Sequence, residues 1–187
     1  AYDELVSPST LTDLYQNPTL LQLVAAITGK ENKLYLSDDP IGCCSINVFR
    51  PGYYHSIHFD ESEFSTTLML QEAEVPGTGL FQYTNQLRTF CETDLALEEV
   101  SSVIQTYMDP QETFAEMKVD SEPQLHTLQF EPGTLSVFSG SRSLHRVTTV
   151  EGTKSRLVAV LTFASQPGFR NSKEVQKLFW GRSSADD

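Results

Sequence analysis

The chain has 187 residues, a length that suits one domain with a substantial core. Hydrophobic residues make up 39% and charged residues 20%, which is a globular composition and argues against a disordered chain. The formal net charge is −12, so we expect repulsion from phosphate backbones and anionic lipids, and neither nucleic acid nor a membrane as a partner.

The cysteines and the apolar segments of the chain indicate its cellular compartment. The longest apolar run, residues 20–27, is interrupted by Gln22 and is far shorter than the roughly 18 residues of a membrane-spanning helix. The chain has three cysteines, of which Cys43 and Cys44 are adjacent, and this disfavours a disulfide framework. We therefore expect a reducing, cytoplasmic setting. The start at Ala1 indicates a truncated, processed or incompletely reported N-terminus, and the sequence leaves open whether an N-terminal part of the full protein is missing.

The first 30 residues predict helical support for the rest of the chain. Ser9 or Thr10 can cap a short helix whose apolar residues follow at spacings of three and four. Asn17 and Pro18 then start a second helix, which Gly29 ends.

Short β-type runs follow, separated by turn-forming Pro and Gly residues. Before a helical insert predicted at 95–108, they are Lys33–Leu36, Cys44–Phe49, Ser56–Phe59, Thr66–Gln71 and Gly79–Tyr83. After it, they are Leu125–Phe130, Thr134–Phe138, His145–Val150 and Arg156–Phe163, and a short helix with Val175, Leu178, Phe179 and Trp180 closes the chain. Eight or nine strands with one insertion predict a single, mainly β (α+β) domain over residues 1–187, a sandwich or barrel with flanking helices.

Three residues have side chains suited to binding a metal ion. His58 and Asp60 are two apart in a β-type run, so we expect both side chains on one face of a strand. With His145, at the start of a late strand, they form a 2-His-1-carboxylate set that leaves positions open on iron for a co-substrate and O₂. Zinc competes for such ligands, and a His-x-Asp pair alone also occurs as a surface histidine beside a solvated carboxylate.

Arg156 points to a co-substrate. It lies eleven residues after His145 and precedes Leu-Val-Ala-Val-Leu, a sequence typical of a buried strand. A buried guanidinium needs a partner and suits a carboxylate that accepts two hydrogen bonds. The partner is either a protein carboxylate, in an ordinary ion pair at the end of a strand, or the distal carboxylate of a bound 2-oxo acid.

The order of these motifs resembles the Fe(II)- and 2-oxoglutarate-dependent oxygenases. The resemblance covers about residues 44–165 and rests on Asn47-Val-Phe-Arg-Pro-Gly52, His58-Phe-Asp60-Glu61, Glu131–Gly140 and Leu144-His145-Arg-Val. It implies a double-stranded β-helix (jelly roll, cupin-like) at 44–165 that binds Fe(II), 2-oxoglutarate and O₂. It further implies His58, Asp60 and His145 as catalytic metal ligands and Arg156 as the anchor of the 2-oxoglutarate distal carboxylate, with Asn47 as a second contact.

Within this superfamily the chain looks like the small hydroxylases and radical halogenases that act on free amino acids. Halogenases of that group lack the carboxylate ligand, whereas Asp60 occupies its place here. The resemblance therefore implies oxidation, above all hydroxylation, of an unactivated C–H bond in a free amino acid or a similar small amine-bearing acid. The substrate contacts that it implies are His55, Glu61, Thr162 and, as a lid, Trp180.

Several alternatives share parts of this pattern. A nucleic-acid demethylase of the same superfamily would need a basic groove, which the net charge of −12 disfavours. A protein prolyl or lysyl hydroxylase, an oxidative cyclase or a desaturase would use the same triad. A non-catalytic jelly-roll binding module would not need Arg156 behind a complete triad. The sequence leaves the oligomeric state open.

Overall fold

The computed structural model describes residues 1–6, 8–89, 95–107 and 125–185. Its helices are a short 3₁₀ helix (Tyr2–Glu4), α1 (Thr10–Tyr15), α2 (Pro18–Thr28), α3 (Leu97–Tyr107) and α4 (Lys173–Trp180). Its strands are β1 (Tyr35–Leu36), β2 (Cys44–Phe49), β3 (His55–His58), β4 (Phe64–Gln71), β5 (Phe81–Tyr83), β6 (His126–Thr127), β7 (Leu135–Phe138), β8 (His145–Val147) and β9 (Arg156–Ala164). The predicted insert at 95–108 is α3, and residue 108 lies outside the described residues.

The two N-terminal helices begin and end where local sequence signals predict. Ser9 Oγ accepts a hydrogen bond from the Thr12 N–H at 3.2 Å and so caps α1. Asn17 caps α2 in the same way, with Pro18 in the first turn. Gly29 ends α2 with a φ of 67°, a left-handed conformation that glycine adopts without strain.

Nine strands in the described part of the chain form two antiparallel sheets. In the first sheet, β9 lies between β4 and an edge shared by β2 and β1, and β7 pairs with the other side of β4. The second sheet has the order β3-β8-β5-β6. The chain crosses repeatedly between the two sheets, which is the arrangement of a double-stranded β-helix, and the predicted fold class is confirmed.

Strand lengths differ from the predicted ones at some ends. The run predicted at Leu125–Phe130 forms strand only over His126–Thr127, and the Leu128 N–H still donates to the Phe81 carbonyl at 3.0 Å. The side chains of Leu128 and Phe130 pack in an apolar cluster that also contains Phe81.

Helices cover the outer faces of both sheets. Helices α1 and α2 pack on the first sheet, where Val24, Leu161 and Phe163 are fully buried. Helix α3 packs on the second sheet through Val103 and Tyr107. Two of the three apolar clusters in the described residues thus involve these helices. None of the helices in the described ranges is long and apolar enough to span a membrane.

Asp39 ties α4 and the segment before it to the rest of the domain. One carboxylate oxygen accepts the N–H groups of Ile41 and Gly42 at 2.9 and 2.8 Å. The other accepts the Asn171 N–H at 2.9 Å and the Gln176 amide at 3.1 Å. Burial alone would raise the pKa of this carboxyl, but the four donors hold the pKa of Asp39 below its ordinary value of 3.8.

We expect Asp39→Asn to lower the free energy of unfolding by about 2–3 kcal/mol at pH 7, because an amide cannot accept four hydrogen bonds. A carboxyl whose pKa is lower in the folded state stabilises the protein above its unfolded pKa and loses that effect as the pH falls. The difference between wild type and variant should therefore shrink below about pH 4. Urea denaturation from pH 7 downward measures it, with the exposed Asp38→Asn as control. If the difference in unfolding free energy between wild type and Asp39→Asn did not change with pH, the stabilising role of the ionised Asp39 carboxylate would be contradicted.

Candidate metal centre and its cavity

All nine residues singled out in the sequence line one cavity. The cavity lies between the two sheets, is open to solvent and has a volume of about 120 Å³. The residues are His58, Asp60, His145, Arg156, Asn47, His55, Glu61, Thr162 and Trp180. Segments more than 100 residues apart in sequence thus contribute to a single site.

His58, Asp60 and His145 converge at the inner wall of this cavity. Each offers a ligand atom, and these atoms all lie within 4.8 Å of one another. Asp60 Oδ1 is 3.5 Å from His58 Nε2 and 3.3 Å from His145 Nε2. Two imidazole nitrogens and one carboxylate oxygen at such separations can hold one divalent metal ion.

Asp60 reaches this position from a loop, not from the strand that the sequence predicts. Strand β3 ends at His58, and Asp60 lies two residues beyond it. Its backbone N–H donates to the Gly140 carbonyl at 2.9 Å, which fixes the loop against the connection between β7 and β8. The expected proximity of His58 and Asp60 is found, but strand alternation is not its cause.

A β-bulge explains why two histidines of β3 face the cavity. His55 pairs with Val147 and His58 with His145, so three residue steps on β3 oppose two steps on β8. In a regular strand, residues three apart point to opposite faces, whereas the extra residue returns both side chains to the inner face. The ring centres of His55 and His58 are 4.0 Å apart.

Backbone carbonyl groups orient both imidazole ligands. His58 Nδ1 lies 2.7 Å from the Ser56 carbonyl oxygen, and His145 Nδ1 lies 3.0 Å from that of Ser143. Because a carbonyl oxygen only accepts, each Nδ1 carries a hydrogen, and each Nε2 faces Asp60.

Ser65 fixes the carboxylate of Asp60. Its hydroxyl donates to Asp60 Oδ2 at 2.9 Å, and Ser62 Oγ lies 3.2 Å from Ser65 Oγ. Oδ1, the oxygen nearer both imidazoles, is thus left for a metal ion. Sequence reasoning missed Ser65, since a serine five residues after the carboxylate has no distinguishing local signal.

Electrostatics favour a cation at this point. Burial alone would raise the pKa of Asp60, but the imidazoles of His145 and His58 hold it far below its usual range. Burial lowers the pKa of His145, yet the Asp60 carboxylate raises it on balance. Burial and the neighbouring His58 lower the pKa of His55 to about 3, so His55 is a neutral hydrogen-bonding group at pH 7.

Arg156 is a buried cation in the same cavity. The residue is 1% exposed, and its guanidinium carbon lies 5.3 and 5.8 Å from the ring centres of Phe49 and Phe130. Its Nε has no hydrogen-bond partner, and no carboxylate pairs with Arg156 among the described residues. Burial lowers its pKa to about 10. A buried guanidinium is costly without a counter-charge, so this end of the cavity suits an anionic ligand.

Two predicted substrate contacts, Glu61 and Thr162, also have structural partners. Glu61 accepts the N–H of Ser172, the residue that caps α4, at 2.7 Å. Thr162 Oγ donates to the Gly42 carbonyl at 3.3 Å. The fourth predicted contact, Trp180, packs so closely on Gly42 that an added Cβ there would come within 2.5 Å of its ring.

Phe179 lies closer to the candidate ligands than the sequence suggests. Its ring centre is 5.5 Å from that of His55 and 5.8 Å from that of His58. Its neighbour Trp180 was the predicted lid, and both aromatic side chains line the cavity. The amphipathic pattern of α4 indicates an apolar face but does not show which aromatic residue reaches the site.

Gly140 leaves space for the Asp60 carboxylate, since a Cβ at this position would overlap Asp60 Oδ2. We therefore expect Gly140→Ala to displace the carboxylate and to weaken Fe(II) binding by roughly 10–100-fold, the range found for changes next to metal ligands. Calorimetric titration with Fe(II) under anaerobic conditions measures the effect.

Gly42→Ala is the matched control for this prediction. Like Gly140, Gly42 does not have a positive φ, and its added Cβ would meet Trp180 and Asn171 and no metal ligand. Unchanged Fe(II) affinity in Gly140→Ala, or an equal loss in Gly42→Ala, would contradict the predicted role of Gly140.

Comparisons with known proteins support the fold. No protein-family model matches the chain, and no curated protein sequence matches it. An oxidoreductase of the 2OG-Fe(II) oxygenase family from Burkholderia pseudomallei has a similar structure, with a TM-score of 0.54 and 17% identity over 85% of this chain and 56% of that one. The chain thus spans little more than half of that protein, and an identity this low establishes the fold alone.

Two other solved structures align less well. A prolyl-4-hydroxylase from Pseudomonas putida has a TM-score of 0.38 and 16% identity, over 78% of this chain and 66% of that one. An N-substituted L-amino acid dioxygenase from Burkholderia ambifaria, solved in complex with alpha-KG, has a TM-score of 0.42 and 16% identity, over 87% of this chain and 74% of that one.

Proposed function

We propose that the chain is an Fe(II)- and 2-oxoglutarate-dependent oxygenase that hydroxylates an unactivated C–H bond of a free amino acid or a similar small amine-bearing acid. One observation carries the proposal: three converging metal ligands share a cavity with a buried guanidinium that has no counter-charge among the described residues. A zinc site would account for the ligands but not for Arg156. A co-substrate that binds the metal at one end and carries a carboxylate at the other accounts for both.

The residues of the centre fit the proposed metal. Two imidazole nitrogens and one carboxylate oxygen are the ligands of the 2-His-1-carboxylate iron sites, which keep three coordination positions for other ligands. Both Nδ1 atoms are engaged by backbone carbonyls, and Ser65 occupies the second carboxylate oxygen. One donor atom per residue thus remains for the metal.

Iron(II), with 2-oxoglutarate and O₂, supplies the oxidising power for C–H cleavage when bound. His58, Asp60 and His145 hold the metal, and the planar fork of Arg156 binds the distal carboxylate of the co-substrate through two hydrogen bonds. Asn47, on the neighbouring strand and opposite Val158, offers an amide to the same ligand. The aromatic rings around Arg156 exclude water and strengthen that ion pair.

The remaining lining residues suit a small substrate with an ammonium group. Glu61 keeps a second carboxylate oxygen for an ammonium, and Trp180 offers an aromatic face for a cation–π contact. Neutral His55 and the Thr162 hydroxyl offer hydrogen bonds. The Phe179 ring packs against the imidazoles of His55 and His58. A substrate bound beneath this ring would be shielded from water at the metal.

Anaerobic titration tests the proposal directly. Addition of 2-oxoglutarate to the Fe(II)-loaded protein should give a weak visible charge-transfer band, which succinate, lacking the keto group, should not give. On admission of O₂, succinate should form, and one free amino acid from a full panel should accelerate its formation. A protein that binds Fe(II) but yields neither band nor succinate would contradict the proposed function.

A further inference from the structure

The loop that carries Asp60 runs between the ends of two strands. This ligand loop, residues 59–63, connects β3 to β4. Strand β4 begins at Phe64, directly after the loop, and pairs with β7 on one side and with β9 on the other. Its first residues lie opposite Phe138 at the end of β7 and Phe163 near the end of β9. The chain that follows each of these two strands therefore runs beside the ligand loop, one segment on each flank.

On the β7 flank, the ligand loop is held through its backbone. The Asp60 N–H donates to the Gly140 carbonyl at 2.9 Å. At the other end of the loop, the Ser139 hydroxyl donates to the Glu63 carbonyl at 3.0 Å. Both partners directly follow β7, so these two hydrogen bonds fasten the loop to that strand and not to β9.

On the β9 flank, the ligand loop is held by the side chain of Glu63. Its Oε2 accepts both the N–H and the hydroxyl of Ser165, the residue that follows β9, with the N–H at 2.9 Å. Its Oε1 lies 3.4 Å from Nζ of Lys30, just beyond the end of α2. Burial alone would raise the pKa of Glu63, but Ser165 and Lys30 hold it below its ordinary value of 4.5. The carboxylate is thus ionised at pH 7.

The position of the ligand loop decides where the Asp60 carboxylate lies. Asp60 Oδ1 must stay near the Nε2 atoms of His58 and His145, which lie on strands of the other sheet. A metal ligand has to be held to within about 0.5 Å, which requires support from the residues around it. Without the Glu63 side chain, the loop would lose its contact with the end of β9 and could shift away from both histidines.

We propose that Glu63 is a positioning residue for the metal centre: by fastening the ligand loop to the end of β9, it holds Asp60 where its carboxylate meets the two histidines. Glu63 acts through the loop backbone and through Ser165. This inference rests on the proposed function, because it concerns the residue that positions one of the proposed iron ligands.

Glu63→Ala tests the proposal. The dissociation constant of Fe(II), measured by calorimetric titration under anaerobic conditions, should rise about tenfold, the lower end of the range for residues that support metal ligands. Glu63→Gln separates the fastening from the charge. Its amide oxygen can still accept both Ser165 donors, whereas the negative charge near the metal is gone. We expect Glu63→Gln to bind Fe(II) nearly as well as the wild type.

Glu74→Ala is the matched control. Oε2 of Glu74 accepts the N–H of Thr153 at 2.6 Å and its hydroxyl at 2.8 Å, the same pair of hydrogen bonds that Glu63 makes with Ser165. Thr153 precedes β9 and Ser165 follows it, so the two carboxylates lie at opposite ends of a nine-residue strand, about 30 Å long. Glu74→Ala removes an equal contact and an equal charge, and should leave Fe(II) affinity unchanged.

A spectroscopic readout distinguishes positioning from general stability. The visible absorption of Co(II), bound in place of Fe(II), depends on the geometry of its ligands. The spectrum should change in Glu63→Ala and match that of the wild type in Glu63→Gln and Glu74→Ala. If Glu63→Ala does not fold, Ser165→Ala replaces it in the test. This variant removes the hydroxyl donor and keeps the N–H, so a smaller loss of Fe(II) affinity in the same direction is expected.

Three results would overturn the inference alone. They are wild-type Fe(II) affinity in Glu63→Ala, or in Ser165→Ala where that variant is used, an equal loss of affinity in Glu63→Gln, and an equal loss in Glu74→Ala. In each case the wild-type protein would still bind Fe(II) and form succinate, so the proposed function would stand. If the wild-type protein itself does not bind Fe(II), the proposed function fails, and this inference fails with it.

Discussion

Asp60→Ala is expected to abolish 2-oxoglutarate-dependent succinate formation and to weaken Fe(II) binding by more than about a hundredfold, since changes beside a metal ligand already cost 10–100-fold. The carboxylate is the only anionic ligand of the candidate triad, and its oxygen lies within 3.5 Å of both imidazoles. Without it, only two imidazole nitrogens remain as ligands, and none of the protein ligands carries a negative charge to offset that of the metal. Fe(II) titration and a succinate assay measure the two effects separately.

Asp60→Glu makes the same test more stringent. It keeps the charge but lengthens the side chain by one methylene, and the space beside Gly140 is already filled by the carboxylate. We expect this variant to lose most of its activity too, while its circular dichroism stays that of the wild type. Succinate formation by Asp60→Ala at the wild-type rate would exclude the assigned triad.

Arg156→Met should raise the KM for 2-oxoglutarate by about a hundredfold or more, the cost of removing one partner of a buried, hydrogen-bonded charge pair. Fe(II) affinity should be unaffected, because Arg156 contacts aromatic rings and none of the three ligands. Arg156→Lys retains the charge but loses the planar fork, so an intermediate KM is expected. Steady-state kinetics at saturating Fe(II) measure the series.

The stability of the metal-free Arg156→Met protein gives a second test of the role of Arg156. Since the Arg156 guanidinium has no counter-charge in the part of the chain that the structure describes, Arg156→Met should leave the metal-free protein as stable as the wild type or more stable. Arg146 is the matched control, as a buried arginine that donates to Gln82 at 2.8 Å and to the Tyr107 carbonyl at 2.7 Å. Arg146→Met should lower stability by about 2–4 kcal/mol and leave the KM unchanged. A destabilised Arg156→Met with a wild-type KM would indicate a structural role for Arg156.

The sequence by itself determined most of the secondary structure and the residue types of the site. Helix caps at Ser9 and Asn17, and apolar runs between turn residues, are signals read over a few neighbouring residues, so α1, α2 and the strands occur close to their predicted positions. The candidate ligands were also recognisable, because His, Asp and Arg in this order suggest only a few kinds of chemistry. The fold followed from the same pattern and its resemblance.

Only the tertiary structure decided how these residues meet. The bulge that turns both His55 and His58 inward depends on the pairing of β3 with β8, almost 90 residues away in sequence. The loop at Asp60 depends on its contact with the Gly140 carbonyl. Local sequence does not encode such long-range registers, because each is set by packing across the whole sheet.

The tertiary structure also decided which side chains of the site have interaction partners and which have none. From the sequence, a 2-oxo acid was the favoured partner of Arg156 and a protein carboxylate the alternative. Only the three-dimensional surroundings show a guanidinium without a protein counter-charge in the described chain. Phe179 and Ser65 were not predicted as site residues for a related reason. Their importance lies in what they face, and a single sequence gives the alternation of a strand but not the contents of the cavity beside it.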